Sequence, residues 1–221
     1  SGMHVLVNIQ GVSDADSFGM ARRVARTEGI LVGGSGGMAV AAAIQVARAA
    51  GPDDVVVVLN PDSGRGYLSK LFNDEWMANF GFTTADGPTL AEALDLAGGT
   101  RALLYVNPEA PVREAIDVMR AHGVSQLPVC KNTPPFAAAE VMGSVDELVL
   151  MSAAAADRAM LEVPVEQVMG DRLPTIGIGQ EVTRSIEALR SAPALLVLGG
   201  GRPWCVLTRS DVLGFLELGG D

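Results

Sequence analysis

A hydroxyl and a carboxylate lie three residues apart in Thr-Arg-Ser-Asp, residues 208 to 211, where an apolar stretch passes into a helical pattern. Residues spaced by three share one face of a helix, so both side chains can contact the same molecule. In one interpretation they form a helix cap, with Thr208 or Ser210 satisfying free amides and Asp211 complementing the helix dipole. In the other they grip a nucleoside, with Asp211 accepting from ribose hydroxyls and Thr208 beside it. Spacing alone favours the cap.

A second candidate is Ser63, which follows the apolar run of residues 55–59 and the loop Asn-Pro-Asp. Proteins with α/β folds bind ligands at the C-terminal ends of their strands, which makes this position suited to chemistry. A turn-forming serine after Pro61 and Asp62 is the simpler alternative. The glycine-rich stretch 33–37 precedes a helical pattern and could bind an anion through free amides.

The elements around these residues predict an α/β segment. We expect a helix over 14–29 with an aspartate cap, a short strand at 30–32, and a helix ending at Gly51. Residues 53–60 predict a strand whose two faces are both covered, because it lacks polar alternation. A further helix is expected over 66–80. Two strands are too few for a doubly wound sheet, which usually has about four to six.

Residues 88–219 contain a weak internal repeat. Val112, Ile116 and Met119 recur 70 positions later as Val182, Ile186 and Leu189. Each copy places an amphipathic helix before an apolar strand and a hairpin-like return. The pattern predicts two β-α-β-β-α units, at about 88–155 and 160–219.

This half resembles a tandem pair of CBS domains, a Bateman module, which binds adenosine-containing ligands between its copies. The resemblance rests on Gly-Val-Ser-Gln-Leu-Pro-Val at 123–129 and on residues 201–216. It implies that Thr208 and Asp211 hold a ribose, and that one site is competent because the first copy has Asp146 and Val149 there. S-adenosylmethionine, AMP and ATP are the ligands it suggests. The remaining contacts it implies are Ala102, Val124, Ser125, Gln126, Trp204 and Val206.

Residues 12–83 resemble the C-terminal part of the catalytic core of bacterial, actinobacterial-like cystathionine β-synthases, members of the cysteine synthase superfamily. These are enzymes of fold-type II that use pyridoxal phosphate (PLP). In that family the loop serine bonds the pyridine nitrogen of PLP, which is the role implied for Ser63. The predicted domains are therefore a tag or altered junction at 1–11, the end of a PLP core at 12–83 and a CBS pair at 84–219.

The chain lacks a lysine in a segment like the one that binds PLP in the family, since its two lysines are Lys70 and Lys131. The phosphate-cradling loop of the family is absent as well. We therefore expect the chain alone to be catalytically incomplete and to use PLP only if another polypeptide supplies the missing half. Two functions stay open: part of a cystathionine β-synthase with a regulatory CBS pair, or a non-catalytic adenosine-ligand sensor or dimerisation module.

Composition excludes several classes of partner. A net charge of −10 and a pI of about 4.6 oppose binding to nucleic acid. Apolar runs are too short or too charged for a membrane span, and no basic leader precedes them, so a cytoplasmic location is expected. Cys130 and Cys205 lack metal-like spacing and are expected to be buried thiols, with no metal bound. We expect a homodimer, because CBS pairs commonly associate through their helices.

Overall fold

The computed structural model describes residues 9–96 and 102–218, which form two compact units divided between Met77 and Ala78. Most of the predicted junction at 1–11 lies outside the described residues, as does the end of the predicted CBS pair at residue 219. The first unit consists of helices and irregular segments, and the second unit is a repeated helix and strand module.

Two packed helices dominate the first unit: α1, Asp14–Glu28, and α2, Gly34–Ala47. Helix α1 begins at Ser13, whose hydroxyl oxygen accepts the Asp16 amide at 3.1 Å, so the predicted aspartate cap is wrong by one residue. A side chain at Gly37 would overlap the Ser17 carbonyl oxygen, which explains why the two helix backbones can approach so closely.

The predicted strands of this unit are not formed. Residues 30–32 contribute only a single bridge, between Val32 and Ser63. Residues 53–60 are not a buried strand, because Val55 and Val57 are 86% and 88% exposed. A strand needs a neighbour for its backbone hydrogen bonds, and the described part of the chain supplies none here.

The predicted helix at 66–80 is also wrong. A 3-10 turn, Gly64–Tyr67, is followed by an irregular stretch and the short helix α3, Asp74–Asn79. The Asn73 side chain accepts the Trp76 amide at 2.8 Å and begins a new helix there, so the segment breaks in two.

The second unit confirms the predicted repeat. Its first copy contains four elements, namely α5, Val112–His122; β1, Gln126–Cys130; β2, Val141–Asp146; and α6, Glu147–Ala156. The second copy has five: β3, Thr175–Gly177; α7, Val182–Ala188; β4, Ala194–Gly199; β5, Arg202–Thr208; and α8, Arg209–Leu218. Strands β1 and β2 are antiparallel, as are β4 and β5, while β3 runs parallel to β4. The leading strand of the first copy is reduced to one parallel bridge, Val106 to Val129.

The two repeats exchange their leading segments. Helix α4, Leu90–Leu96, precedes the first repeat, yet Leu90 is buried in the core of the second repeat with Leu195 and Leu207. Conversely, Val165 precedes the second repeat and lies in the core of the first. Single β-bridges, from Thr89 to Glu181 and from Pro111 to Pro164, join each leading segment to the other repeat. The core of each repeat therefore contains residues from the segment that leads into the other repeat.

Residues 78–85 belong to the second unit and lie along the second repeat. The Gly200 amide donates to the Gly81 carbonyl at 3.1 Å, and the Ala85 amide donates to the Gly179 carbonyl at 2.8 Å. A side chain at Gly177 would overlap the Ala78 carbonyl oxygen. The segment is thus held by backbone contacts that leave no room for side chains.

Candidate functional site

A cavity of about 350 Å³ lies between the two repeats. A volume of this size suits a small ligand. The sequence-predicted residues that line it are Ala102, Val124, Ser125, Gln126, Val206, Thr208 and Asp211. Leu104, Gly123, Cys205 and Ser210 complete the wall. The first group is brought together although residues 102 and 211 are far apart in the chain.

Thr208 and Asp211 contact each other at the junction of β5 and α8. One carboxylate oxygen, Oδ2 of Asp211, accepts the Thr208 amide at 2.8 Å and the Thr208 hydroxyl at 2.6 Å. The contact differs from the predicted cap, because the Thr208 hydroxyl donates to Asp211 instead of accepting a helix amide, and it is Asp211 that accepts the amide of Thr208 at the start of α8. A carboxylate can accept about four hydrogen bonds, so this role does not by itself exclude contact with a ligand.

The first repeat places its acid three residues earlier than the second repeat does. In the β1–β2 ladder Gln126 pairs with Asp146, as Ala194 pairs with Thr208 in the β4–β5 ladder. Asp146 is therefore the counterpart of Thr208, and its carboxylate accepts the Val149 amide at 2.8 Å. Val149 takes the place of Asp211, so this copy has no carboxylate on the first turn of α6 at that position.

In the first copy, a backbone segment lies against the strand position whose counterpart in the second copy lines the cavity. Ser144 is the counterpart of Val206, since their partners are Pro128 and Leu196. Its carbonyl accepts the Gly170 amide at 2.9 Å, and its hydroxyl donates to the Asp171 carbonyl at 2.7 Å. The sequence repeat gave no signal for this contact, because it joins residues 27 positions apart in a loop.

Trp204 is not brought to the cavity. Its side chain is on the exposed part of β5, 42% accessible, and an added Cβ at Gly199 would lie 3.3 Å from its ring. Along β5 it has the same parity as Val206 and Thr208, which line the cavity, but the β4–β5 ladder skips it, because Val197 pairs with Cys205 and Leu198 pairs with Pro203. Such a bulge interrupts the alternation of faces along a strand, so spacing along β5 could not separate Trp204 from Val206.

Gln126 contributes an unusual polar group to the cavity wall. Its side-chain oxygen Oε1 is buried and has no hydrogen-bond partner among the described residues. An unsatisfied buried acceptor costs about 1–3 kcal/mol, so a donor that reaches it on binding would be favoured.

Ser63 lies in the first unit, on the surface. Its hydroxyl oxygen accepts the Arg65 amide at 3.3 Å and begins the 3-10 turn, as a turn-forming serine does. The neighbouring Asp62 carboxylate accepts the Ser35 hydroxyl at 2.7 Å. Bonds from Ser35 and then Tyr67 hold the pKa of Asp62 below its usual range, and the same contact raises the pKa of Tyr67.

Asp62 also bears on the glycine-rich stretch. A Cβ at Gly33 would overlap the Asp62 carboxylate, which therefore packs directly on the residue that precedes α2. A negative charge at a helix N-terminus complements the helix dipole. Because the chain already places its own carboxylate here, the interpretation of residues 33–37 as a phosphate site is disfavoured.

The residues of this chain do not by themselves fit PLP. Lys70 is exposed on the turn after Tyr67, and its amide donates to the Tyr67 carbonyl. Lys131 belongs to the other unit, where its amide donates to the Glu140 carbonyl. Ser63 is left as an exposed side chain, and no lysine of the chain lies in a segment like the one the family uses.

Within residues 9–96 and 102–218, no group of three or more His, Cys, Asp or Glu side chains is placed to hold a metal ion. No helix in the same ranges is long and apolar enough to cross a membrane. Cys130 and Cys205 are buried thiols that are not joined in a disulfide, as expected.

Two family models match the chain in the predicted order. The model described as pyridoxal-phosphate dependent enzyme matches residues 4–62, and the CBS domain model matches residues 91–143. The chain thus joins a segment of a PLP-dependent enzyme to a CBS module.

Curated relatives of the chain include cystathionine β-synthases. The protein from Oryctolagus cuniculus is 32% identical over 142 residues, covering 60% of this chain and 24% of the relative. The one from Dictyostelium discoideum is 30% identical over 164 residues, covering 71% of this chain and 32% of the relative. A protein of Bacillus subtilis named "Probable cysteine synthase" is 50% identical over 58 residues, 26% of this chain and 19% of the relative. The chain is therefore similar to a part of these two cystathionine β-synthases and spans about a quarter to a third of their length.

Solved structures agree on the fold of the second unit. A CBS-domain-containing protein from Agrobacterium tumefaciens has a TM-score of 0.50 at 20% identity, covering 61% of this chain and 98% of its own. A protein with CBS domains from Burkholderia ambifaria has a TM-score of 0.50 at 19% identity, covering 60% of this chain and 96% of its own. The match to nearly complete CBS proteins supports a fold of two repeats.

Proposed function

We propose that this chain is the regulatory part of a cystathionine β-synthase-like enzyme, which joins serine and homocysteine, and that its CBS pair binds one adenosine-containing effector. The observation that carries the effector proposal is the cavity between the repeats, where the predicted grip and the predicted facing wall converge. The relatedness to cystathionine β-synthases supports the enzymatic assignment.

In the proposed complex Asp211 accepts from the ribose hydroxyls and Thr208 orients its carboxylate through the 2.6 Å bond. Val124, Val206 and Ala102 offer apolar surface to the base, and Gln126 offers an acceptor to an amino group of the ligand. S-adenosylmethionine, AMP and ATP all carry the ribose and an amino group. The arrangement in the first repeat, with Val149 in place of Asp211, supports a stoichiometry of one.

Calorimetric titration with S-adenosylmethionine and AMP tests this proposal. Hydrogen bonds to a charged group are worth roughly 1.5–3 kcal/mol, so Asp211→Ala should weaken binding about 10- to 150-fold. Asp146→Ala is the matched control, because it removes a capping acid from the equivalent helix start of the first repeat. It should leave the affinity within about twofold of wild type.

Two results would contradict the effector proposal. One is that neither ligand binds the wild type, and the other is that Asp211→Ala binds as tightly as the wild type. Either would leave Asp211 as a cap alone and would favour the alternative in which the CBS pair is a structural dimerisation module.

A specific observation favours dimerisation as a second role. Met151 on α6 and Leu213 on α8 are each 63% exposed, and a cavity of about 420 Å³ is lined by Leu213 and Leu216 of α8 and by Ile186 of α7. Exposed apolar patches on helices commonly mark protein contacts. We propose that two copies associate through these helices.

A further inference from the structure

A separate cavity, of about 280 Å³, lies in the second unit beside the start of α7. Its volume suits a ligand no larger than a single amino acid. None of its lining residues contributes to the cavity between the repeats. The residues of its wall that carry polar groups or apolar surface toward it are Asn79, Ile176, Gln180, Arg184, Glu187 and Ala188.

Two side-chain amides in this cavity are joined by one hydrogen bond. Gln180 is only 9% exposed, and its Nε2 donates to Oδ1 of Asn79 at 2.8 Å. The pair keeps an unused acceptor, Oε1 of Gln180, and an unused donor, Nδ2 of Asn79. Neither atom has a hydrogen-bond partner among the described residues, and neither is a buried unsatisfied atom, so both are open to the cavity. Turning both amides over exchanges the two roles and still leaves one donor and one acceptor.

The backbone around the amide pair is fixed. The Gln180 amide donates to the Gly177 carbonyl at 3.0 Å, and the Gln180 carbonyl accepts the Leu90 amide at 2.9 Å. Next to Asn79, the Ala78 carbonyl oxygen packs where a side chain at Gly177 would lie. Groups that are held before a ligand arrives lose little conformational entropy on binding.

Opposite charges lie on the exposed side of the same cavity. Nη1 of Arg184 donates to Oε2 of Glu187 at 3.3 Å, and both side chains are more than half exposed. Such an exposed ion pair contributes little to stability, so a ligand can replace either partner at little cost. Ile176 and Ala188 add apolar surface. The cavity therefore offers a cation, an anion, an amide pair and an apolar wall within one small volume.

We propose that this cavity binds a free α-amino acid with an apolar side chain. The carboxylate of the amino acid accepts from Arg184 and from the side-chain amide of Asn79. Its ammonium group donates to Glu187 and to Oε1 of Gln180, and its side chain packs against Ile176. A ligand with a single charge would leave one partner of the ion pair without a counterpart, which favours a zwitterion.

Calorimetric titration of the full chain with L-leucine tests this site, together with two analogues that each lack one charged group. Isoamylamine lacks the carboxylate, and isocaproate lacks the ammonium group. L-Leucine should bind with a dissociation constant of about 1 mM or lower. Each analogue should bind about tenfold more weakly or worse, because its charge-assisted hydrogen bonds are lost.

Variants assign each charge to its partner. Arg184→Gln should weaken the binding of L-leucine about fivefold or more, and it should leave isoamylamine unchanged because this probe has no carboxylate. Glu187→Gln should weaken L-leucine in the same way and leave isocaproate unchanged. Arg190→Gln is the matched control, since this exposed residue follows α7 and does not line the cavity. It should leave the affinity for L-leucine within about twofold of wild type.

The proposal is overturned if L-leucine does not bind at concentrations up to about 10 mM. It is also overturned if Arg184→Gln weakens isoamylamine as much as L-leucine, or if Arg190→Gln has the same effect as Arg184→Gln. No adenosine ligand is present in these titrations, so their outcome is independent of the result for Asp211.

Discussion

Asp211 is the residue at which folding and proposed binding meet. The carboxylate closes the start of α8 through the amide and hydroxyl of Thr208, and the same side chain lines the cavity. The cap holds the carboxylate in one orientation before a ligand arrives, and an orientation that is already fixed lowers the entropy cost of binding. Capping and binding therefore support each other.

Replacing Thr208 by Val should expose this coupling. It removes the hydroxyl donor to Asp211 but keeps the backbone donor, so the free energy of unfolding should fall by about 1 kcal/mol. The affinity for AMP should fall severalfold because the carboxylate loses an orienting bond. Urea denaturation and calorimetry on the same preparations measure both quantities.

Thr208→Ser restores the hydroxyl and should recover both properties. A loss of stability without any loss of affinity would show that the bond serves the helix alone.

At the scale of elements, the N-terminus of α2 is neutralised by a carboxylate from another part of the chain. Ser35 and Tyr67 hold the pKa of Asp62 below its usual range. A group whose pKa is lowered by folding stabilises the protein above its unfolded pKa, and this contribution is lost as the pH falls through the folded pKa.

Ser35→Ala removes the largest cause of that shift, and its effect should depend on pH in a defined direction. The variant should be less stable than wild type at neutral pH. The difference should shrink as the pH falls from about 4, the ordinary aspartate pKa of the unfolded chain, through the lower pKa that Asp62 has in the folded chain. Urea unfolding from neutral to acidic pH measures the difference.

Ser152→Ala is the control, since that hydroxyl bonds the Leu148 carbonyl and no carboxylate. Its effect should not vary with pH. A constant difference for Ser35→Ala would mean that Asp62 does not depend on this hydroxyl.

The sequence could predict the elements whose stabilising pattern lies within their own residues. The helices at Val112 and Val182 carry their own apolar stripe, and both begin where the 70-residue repeat placed them. The strand at 53–60 was wrong, because its pattern describes burial by neighbours that the described chain does not provide. The cavity wall was predicted through family resemblance rather than periodicity, and Trp204 was misplaced because the motif carries no signal for the bulge at this residue in the β4–β5 ladder.

At the scale of the whole molecule, the exposed apolar side chains of α6 and α8 predict that two copies of the chain associate. The double variant Met151→Glu and Leu213→Glu places charges where apolar side chains are 63% exposed. Sedimentation should change from that of a dimer to that of a monomer, with a dissociation constant raised at least 100-fold, because buried unpaired charges are costly.

Glu147→Gln and Glu217→Gln together form the control, because they alter charge on the same two helices without adding it to an apolar patch. A wild-type chain that sediments as a monomer at micromolar concentration would contradict the proposed homodimer.

The exchange of leading segments in the second unit affects how such a module can be inherited. Leu90 completes an interior that is assembled from residues far downstream, and Val165 completes one assembled upstream. A gene segment that encoded one repeat alone would therefore yield a chain whose core lacks one apolar segment. Its own leading segment would be exposed, because it normally packs in the core of the other repeat. Selection would act on the two repeats as one unit. Their sequences could diverge, as Asp146 and Thr208 have done, only while each leading segment still packs in the core of the other repeat.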